Sequence, residues 1–145
     1  VLERVQDPGN VGTILRSAPA SGVKQIILGA DCVDVWSPKV VRAAMGAHFL
    51  LQLFTRVDLW AWQAQYQAPL WATALSEHNN HSLYHLNLTQ PCAWLFGNEG
   101  SGVSAALQQA ATGTVKIPML GATESLNVAM AATICLFEQM RQRLS

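Results

Sequence analysis

Asn10, Arg16, Glu99, Ser125 and Asn127 are the polar residues whose neighbours offer chemistry beyond solvation. Glu99 stands within Gly97-Asn98-Glu99-Gly100-Ser101-Gly102, directly after the apolar run Trp94-Leu95-Phe96. A short buried strand that ends in a glycine turn is where parallel α/β sheets place ligands, at strand carboxyl ends. Glycines there allow φ > 0 and let the backbone approach a ligand closely. A carboxylate among them can accept from a ligand's hydroxyl or amine. The glycine order fits neither the dinucleotide fingerprint nor a phosphate loop, so a tight strand-to-helix turn is the plain alternative. A second strand, Val115-Lys116-Ile117, ends at Pro118, and residues 119–124 lead into an apolar helix beginning near Ser125. Two strand ends followed by polar turns, so close in sequence, read as two walls of one pocket.

The remaining candidates flank this pocket in sequence. Asn10 is expected to cap a helix through Val11, Ile14, Leu15 and Ala18, which ends at or before Pro19. Arg16 on that helix is either a plain surface arginine or a contact to an anion or phosphate, for which a planar guanidinium is suited. Ser125 is the expected cap of the closing helix, and Asn127, in its first turn, is less well explained by capping. His78, His81 and His85 lie in a polar segment without thiolates and with Glu77 as their only carboxylate neighbour, so no metal site is expected. Cys32, Cys92 and Cys135 follow no zinc or redox spacing and sit among apolar residues. They read as buried free thiols in a reducing cytoplasm.

The elements that must position these groups alternate. Residues 1–5 read as the remains of a strand, with the chain beginning as though cut inside it. Strands are expected at 25–28, 49–54, 70–75, 92–96 and 115–117. Helices are expected at 39–46 after Ser37-Pro38, at 59–66 after Asp58, at 104–111, and at 125–143. The closing helix places Leu126, Met130, Ile134, Phe137 and Leu144 along one apolar stripe. Alternation of this kind predicts an α/β fold, a parallel sheet with helices on both faces. The chain has 145 residues, half of them apolar, which suits one domain with a proper core. No apolar run approaches the length of a membrane span. Nine basic and nine acidic residues cancel, so any polyanion partner must meet a local patch, a dimer surface or a further segment. The tryptophans and tyrosines are read as core or oligomer interface.

Three stretches together resemble the three motifs of the SpoU family of RNA ribose 2′-O-methyltransferases, within the SPOUT superfamily: DPGNVGTILRSA, LFGNEGSGVS and IPMLGATESLNVAMA. Order and spacing agree, and the similarity spans nearly the whole chain, closest to ribosomal-RNA guanosine members. The resemblance implies a parallel sheet whose carboxyl-terminal stretch threads a deep trefoil knot, with S-adenosylmethionine bound in the knot. It implies cofactor contacts at Gly97, Ile117 and Leu126, and catalytic or ribose-side roles for Asn10, Arg16, Glu99, Ser125 and Asn127. It further implies an RNA substrate, ribosomal before transfer RNA, a homodimer with the site near the subunit interface, and no membrane or metal partner. On this reading residues 1–145 are the catalytic domain of a protein with a separate amino-terminal RNA-binding domain. Pro19 and Ala129 depart from residues common in relatives, which are acidic and serine respectively. A non-catalytic knotted paralogue is the rival from another class. A flavodoxin-like or dinucleotide-binding oxidoreductase would need a phosphate loop after the first strand, and Asp7-Pro8-Gly9-Asn10 is too poor in glycine for one.

Overall fold

The computed structural model describes residues 1–74 and 80–144. In chain order the elements are α1 (Pro8–Ala20), β1 (Gln25–Gly29), α2 (Pro38–Ala44), a 3-10 turn (Ala47–Leu50), β2 (Gln52–Val57), α3 (Leu59–Gln65) and β3 (Leu70–Thr73). They continue with β4 (Asn80–Ser82), a second 3-10 turn (Leu83–His85), β5 (Ala93–Leu95), α4 (Ala105–Ala110), β6 (Gly113–Lys116) and α5 (Val128–Arg143). All strand pairings are parallel. One sheet is β1–β2 and the other runs β4–β6–β3–β5. Leu2 joins them, bridging Leu28 on one side and Phe96 on the other. Leu2 N donates to Ile27 O at 2.8 Å, and Phe96 N donates to Val1 O at 2.9 Å.

Period-two alternation sends side chains to two separate cores. Trp94 of β5 and Phe96 just after it face the core under α1, α2 and α5, together with Ile26, Leu28, Val11, Leu15 and Cys135. Ala93 and Leu95 face the opposite core with Ala72, Leu59 and Leu107, under α3 and α4. The helices therefore cover both faces, as the alternating pattern requires.

Several boundaries differ from expectation, each for a local reason. Helix α1 starts at Pro8, whose missing N–H costs nothing at a first helical position, so Asp7 and not Asn10 is its cap, accepting from Asn10 N at 3.0 Å. Pro19 does not end the helix but lies inside its last turn, where its missing N–H forfeits one bond, and the helix ends at Ser21 and Gly22. Met45 and Gly46, both left-handed, turn the chain into the 3-10 segment, which delays the strand expected at 49–54 to 52–57. Residues 1–5 give only the Leu2 bridges, since Arg4 takes φ 54° and leaves the extended region. The strand expected at 70–75 runs through Thr73, and Leu75 lies outside the described residues, as do Glu77 and His78. The segment expected to be merely polar after it contributes β4.

Helix α5 holds the largest correction. Its cap is Asn127, not Ser125, with Oδ1 accepting from Ala129 N at 2.9 Å and Met130 N at 3.2 Å. The face it buries is Ala129, Ala132, Cys135, Leu136, Glu138 and Gln139. The larger apolar residues of the expected stripe, Leu126, Met130, Phe137 and Leu144, remain exposed. Polar anchors explain the choice. Gln139 Oε1 accepts from the buried Trp94 Nε1 at 3.0 Å and from Cys92 Sγ at 3.2 Å. Gln142 and Arg143 bond the backbone of residues 86–90. Cys135 is buried, which pushes its thiol up to about 12, while Cys32 and Cys92 are half-buried; all three are free. Among the tryptophans Trp94 is core, whereas Trp36 and Trp60 are exposed.

Candidate active site

The turn after β5 is built by one side chain. Asn98 Oδ1 accepts from Gly100 N (2.9 Å), Ser101 N (3.1 Å) and Ser101 Oγ (3.2 Å), an Asx-type turn. Its Nδ2 donates to Arg4 O at 2.7 Å, which fixes the turn to the segment leading into α1. The backbones of Asn98 and Gly102 exchange both bonds, at 3.1 and 2.9 Å. The turn closes so tightly that a Cβ on Gly97 would stand 2.2 Å from Gly102 C and from Val103 N. Gly97 is therefore a steric necessity of the turn before it is anything else. Asn98 was missed as a site residue; an asparagine followed by Gly and Ser two and three residues on was the available signal.

Glu99 is held by the segment that precedes α1. Its carboxylate accepts from Gln6 N at 3.0 and 3.1 Å and from Asp7 N at 2.8 Å, the amides that lead into α1. Desolvation raises its pKa. The amides of Gln6, Asp7 and Glu99 itself, with the Asn10 side chain, outweigh that and hold the carboxyl below its usual value. Asn10 Oδ1 in turn accepts from Asn127 Nδ2 at 2.9 Å. With Asn10 N donating to Asp7 Oδ1 and Asp7 N to Glu99, the residues Asn127, Asn10, Asp7 and Glu99 form a polar chain across three segments far apart in sequence. About two turns further along α1, Ser17 Oγ accepts from Thr133 Oγ1 at 3.0 Å and fastens α1 to α5.

Beside this chain lies a cavity of about 320 Å³, within the size range of small-ligand sites. Gly97, Glu99, Ile117, Ser125 and Leu126 line it, with Lys116 and the apolar Val103, Val115 and Val128. The turn after β5 and the segment after β6 are its two walls, as the sequence predicted. Asn10 and Asn127 border the site through their mutual bond and do not line the cavity. Arg16 stands apart, exposed on α1 about 9 Å along the axis from Asn10. Its guanidinium has no hydrogen-bond partner among the described residues. His81 is exposed and packs edge-on against Trp71, with ring centroids 5.5 Å apart, and His85 is exposed. Among the described residues no three His, Cys, Asp or Glu side chains gather as a metal site would require.

Chemically, this is a cavity lined by two polar turns and by apolar side chains, with an anchored carboxylate among its lining residues. A free cation, Arg16, waits on the adjoining helix. Residues 1–137 match the SpoU rRNA Methylase family. An uncharacterised tRNA/rRNA methyltransferase of Synechocystis is 42% identical over 99% of this chain and 53% of its own length. The 23S rRNA (uridine(2479)-2′-O)-methyltransferase of Streptomyces viridochromogenes is 38% identical over 100% of this chain and 53% of its own. The crystal structure of an AdoMet-bound rRNA methyltransferase from Sinorhizobium meliloti superposes with TM-score 0.90 at 36% identity, covering 99% of this chain and 56% of that one. The chain spans about half the length of the curated relatives it matches. With the glycine turn, the cavity and the Asn127–Asn10–Asp7–Glu99 chain formed from the three motifs, this chain belongs to the SpoU rRNA methylase family.

Proposed function

We propose that residues 1–145 are a catalytic domain for S-adenosylmethionine-dependent methylation of a ribose 2′-hydroxyl in RNA, ribosomal RNA before transfer RNA. The observation that carries this reading is the cavity between the Gly97–Gly102 turn and residues 117–126, with the polar chain from Asn127 to Glu99 at its rim. Its size and its mixed backbone and apolar lining suit the cofactor. Gly97, Ile117 and Leu126 would hold it, chiefly through the backbone. When bound, the cofactor supplies an electrophilic sulfonium methyl.

The chain's residues supply position and field. A ribose hydroxyl is a poor nucleophile until its proton is leaving, so alignment and stabilisation of the developing alkoxide carry much of the rate. Arg16 is a demanding choice of base, because a guanidinium gives up its proton far less readily than the side chains that usually serve as one. It serves instead as the cation that holds a phosphate and favours the alkoxide. Glu99 and Asn127 orient the ribose or the cofactor's polar groups, with Asn10 linking them and Ser125 at the cavity wall. Intact polar residues at all five motif positions weigh against a non-catalytic paralogue.

Two further features support finer parts of the reading. Strand β6 enters the sheet between β3 and β4, both earlier in the chain. Residues 117–127 then run along the turn after β5 before α5 packs on α1. That path supports a trefoil knot, a rarity otherwise. The outward apolar stripe of α5, Met130 and Phe137 with Leu126, supports a homodimer whose interface adjoins the site. Free thiols fit a cytoplasmic setting, and no helix among the described residues is long and apolar enough to cross a membrane.

Calorimetric titration with S-adenosylhomocysteine tests the proposal. Saturable binding is expected, lost on Ala131→Phe, which fills the cavity from a regular stretch of α5 without touching the turns. A folded chain that binds nothing would overturn the reading.

A further inference from the structure

We propose that the solvent-facing seam between α1 and α2 is an RNA-binding groove, with Arg16, Lys39 and Arg42 as its phosphate contacts and Trp36 as a stacking platform for one base. The identification of the ligand as RNA rests on the methyltransferase reading; the groove itself rests on helix packing and charge. The two helices nearly touch at Gly12, where a Cβ would lie 2.4 Å from Ala43 Cβ and 3.0 Å from Val40 O. At about 100° per residue, Arg16 projects roughly 40° to one side of Gly12. Val11, Leu15 and Ala18 turn the other way, into the core. On α2 the pattern is mirrored: Lys39 lies roughly 40° to the solvent side of Ala43 and Arg42 roughly 100°, while Val40 and Ala44 go inward. All three cations are exposed.

Neither α1 nor α2 contains a carboxylate. In a chain whose charges cancel, this is a local basic strip. The nearest acids in sequence are Asp7 and Asp34, both turned to backbone amides, and Asp31, exposed in the loop before α2. At the head of the strip Trp36 is 62% exposed. It is nevertheless held in place. Its ring lies against His48, centroids 4.7 Å apart, and buried His48 is pinned to Val35 O at 2.6 Å. Trp36 follows β1, so it stands at the same carboxyl edge of the parallel sheet as the cavity. An exposed, anchored indole beside a run of cations is the arrangement that single-stranded nucleic acid binds.

Anisotropy of a fluorescein-labelled, mixed-sequence single-stranded RNA, taken over a salt series, decides the matter. Lys39→Ala/Arg42→Ala should weaken binding at least tenfold and make the slope of log K against log salt shallower by about 1.4, at about 0.7 per phosphate contact. Trp36→Ala should weaken binding about tenfold with the slope unchanged. S-adenosylhomocysteine titration should be unaltered in both. Wild-type affinity and slope in the double variant would overturn the proposal. So would a wild-type chain that binds S-adenosylhomocysteine but no RNA. A wild-type chain that binds RNA through these residues but no S-adenosylhomocysteine would strike the methyltransferase reading and leave the groove standing.

Discussion

Replacing Glu99 by glutamine separates a clamp from a passive turn residue. Both carboxylate oxygens are engaged, Oε1 by Gln6 N, and Oε2 by Gln6 N and Asp7 N. Glutamine keeps one acceptor and turns an NH2 group toward a backbone N–H, so one bond is lost and two donors face each other. A hydrogen bond to a charged group contributes about 1.5–3 kcal/mol. The site is exposed, and water replaces part of that, so a loss of about 1 kcal/mol is expected at neutral pH. For a domain of this size that corresponds to a melting point lower by roughly 3 °C. The pH dependence gives the sharper check. A folded pKa held below the unfolded value contributes stability above about pH 4.3. That stability is lost as pH falls through the folded value. The gap between wild type and Glu99→Gln should therefore be full near neutrality and close in acid, because a protonated glutamate resembles glutamine. Urea titrations at a series of pH values measure it. A gap that stays constant down to about pH 3 would show that charge on Glu99 is not what holds the turn.

Asn127→Ala removes both the α5 cap and the link to Asn10, and should cost about 1–2 kcal/mol in thermal or urea unfolding. Asn127→Asp keeps the cap acceptor and loses the donor to Asn10, so it should unfold like wild type while methyl transfer falls. Gly97→Ala forces a Cβ against the backbone of Gly102 and Val103. It should cost about 1–3 kcal/mol and weaken S-adenosylhomocysteine in calorimetry, because the turn is a cavity wall. Arg16→Lys keeps the charge and loses the fork. Methyl transfer, measured with a tritiated donor, should fall on the order of tenfold, or about 1.4 kcal/mol.

How much of this was legible beforehand depends on the range of the force concerned. Alternation of strands with helices made the parallel sheet and both helical layers legible, since strands buried on two faces read as short continuous apolar runs between helical patterns. The cavity walls were also legible, because a strand that stops at glycine or proline must turn at the sheet edge. Caps were misplaced where two polar residues compete within a turn. Asp7 beats Asn10 because Pro8 suits the first helical position, and Asn127 beats Ser125 because its amide can cap α5 and reach Asn10 at once. The stripe of α5 was misread for a different reason. Hydropathy alone assigns Leu126, Met130 and Phe137 inward. The helix is instead oriented by Gln139 on Trp94 and by Gln142 and Arg143 on the segment before β5, bonds that no local pattern shows.

The same long-range character governs the site itself. Glu99 meets Gln6 only when the turn after β5 lies against the segment before α1, and Asn127 meets Asn10 and Thr133 meets Ser17 only when the last helix has docked on the first. No one motif can shape the cavity alone, so the family's three stretches are one structure cut into pieces by chain order. Ligand affinity at the cavity is therefore coupled to the docking of α5. A variant that loosens the docking far from the cavity tests this. Gln139→Leu deletes the acceptor shared by Trp94 Nε1 and Cys92 Sγ and leaves a buried indole N–H unpaired, at a cost of about 1–3 kcal/mol. Should the cavity depend on docking, S-adenosylhomocysteine affinity will drop in this variant while it is still folded at the temperature of the titration. Wild-type affinity in a measurably destabilised Gln139→Leu would mean that the two turns hold the cavity without α5.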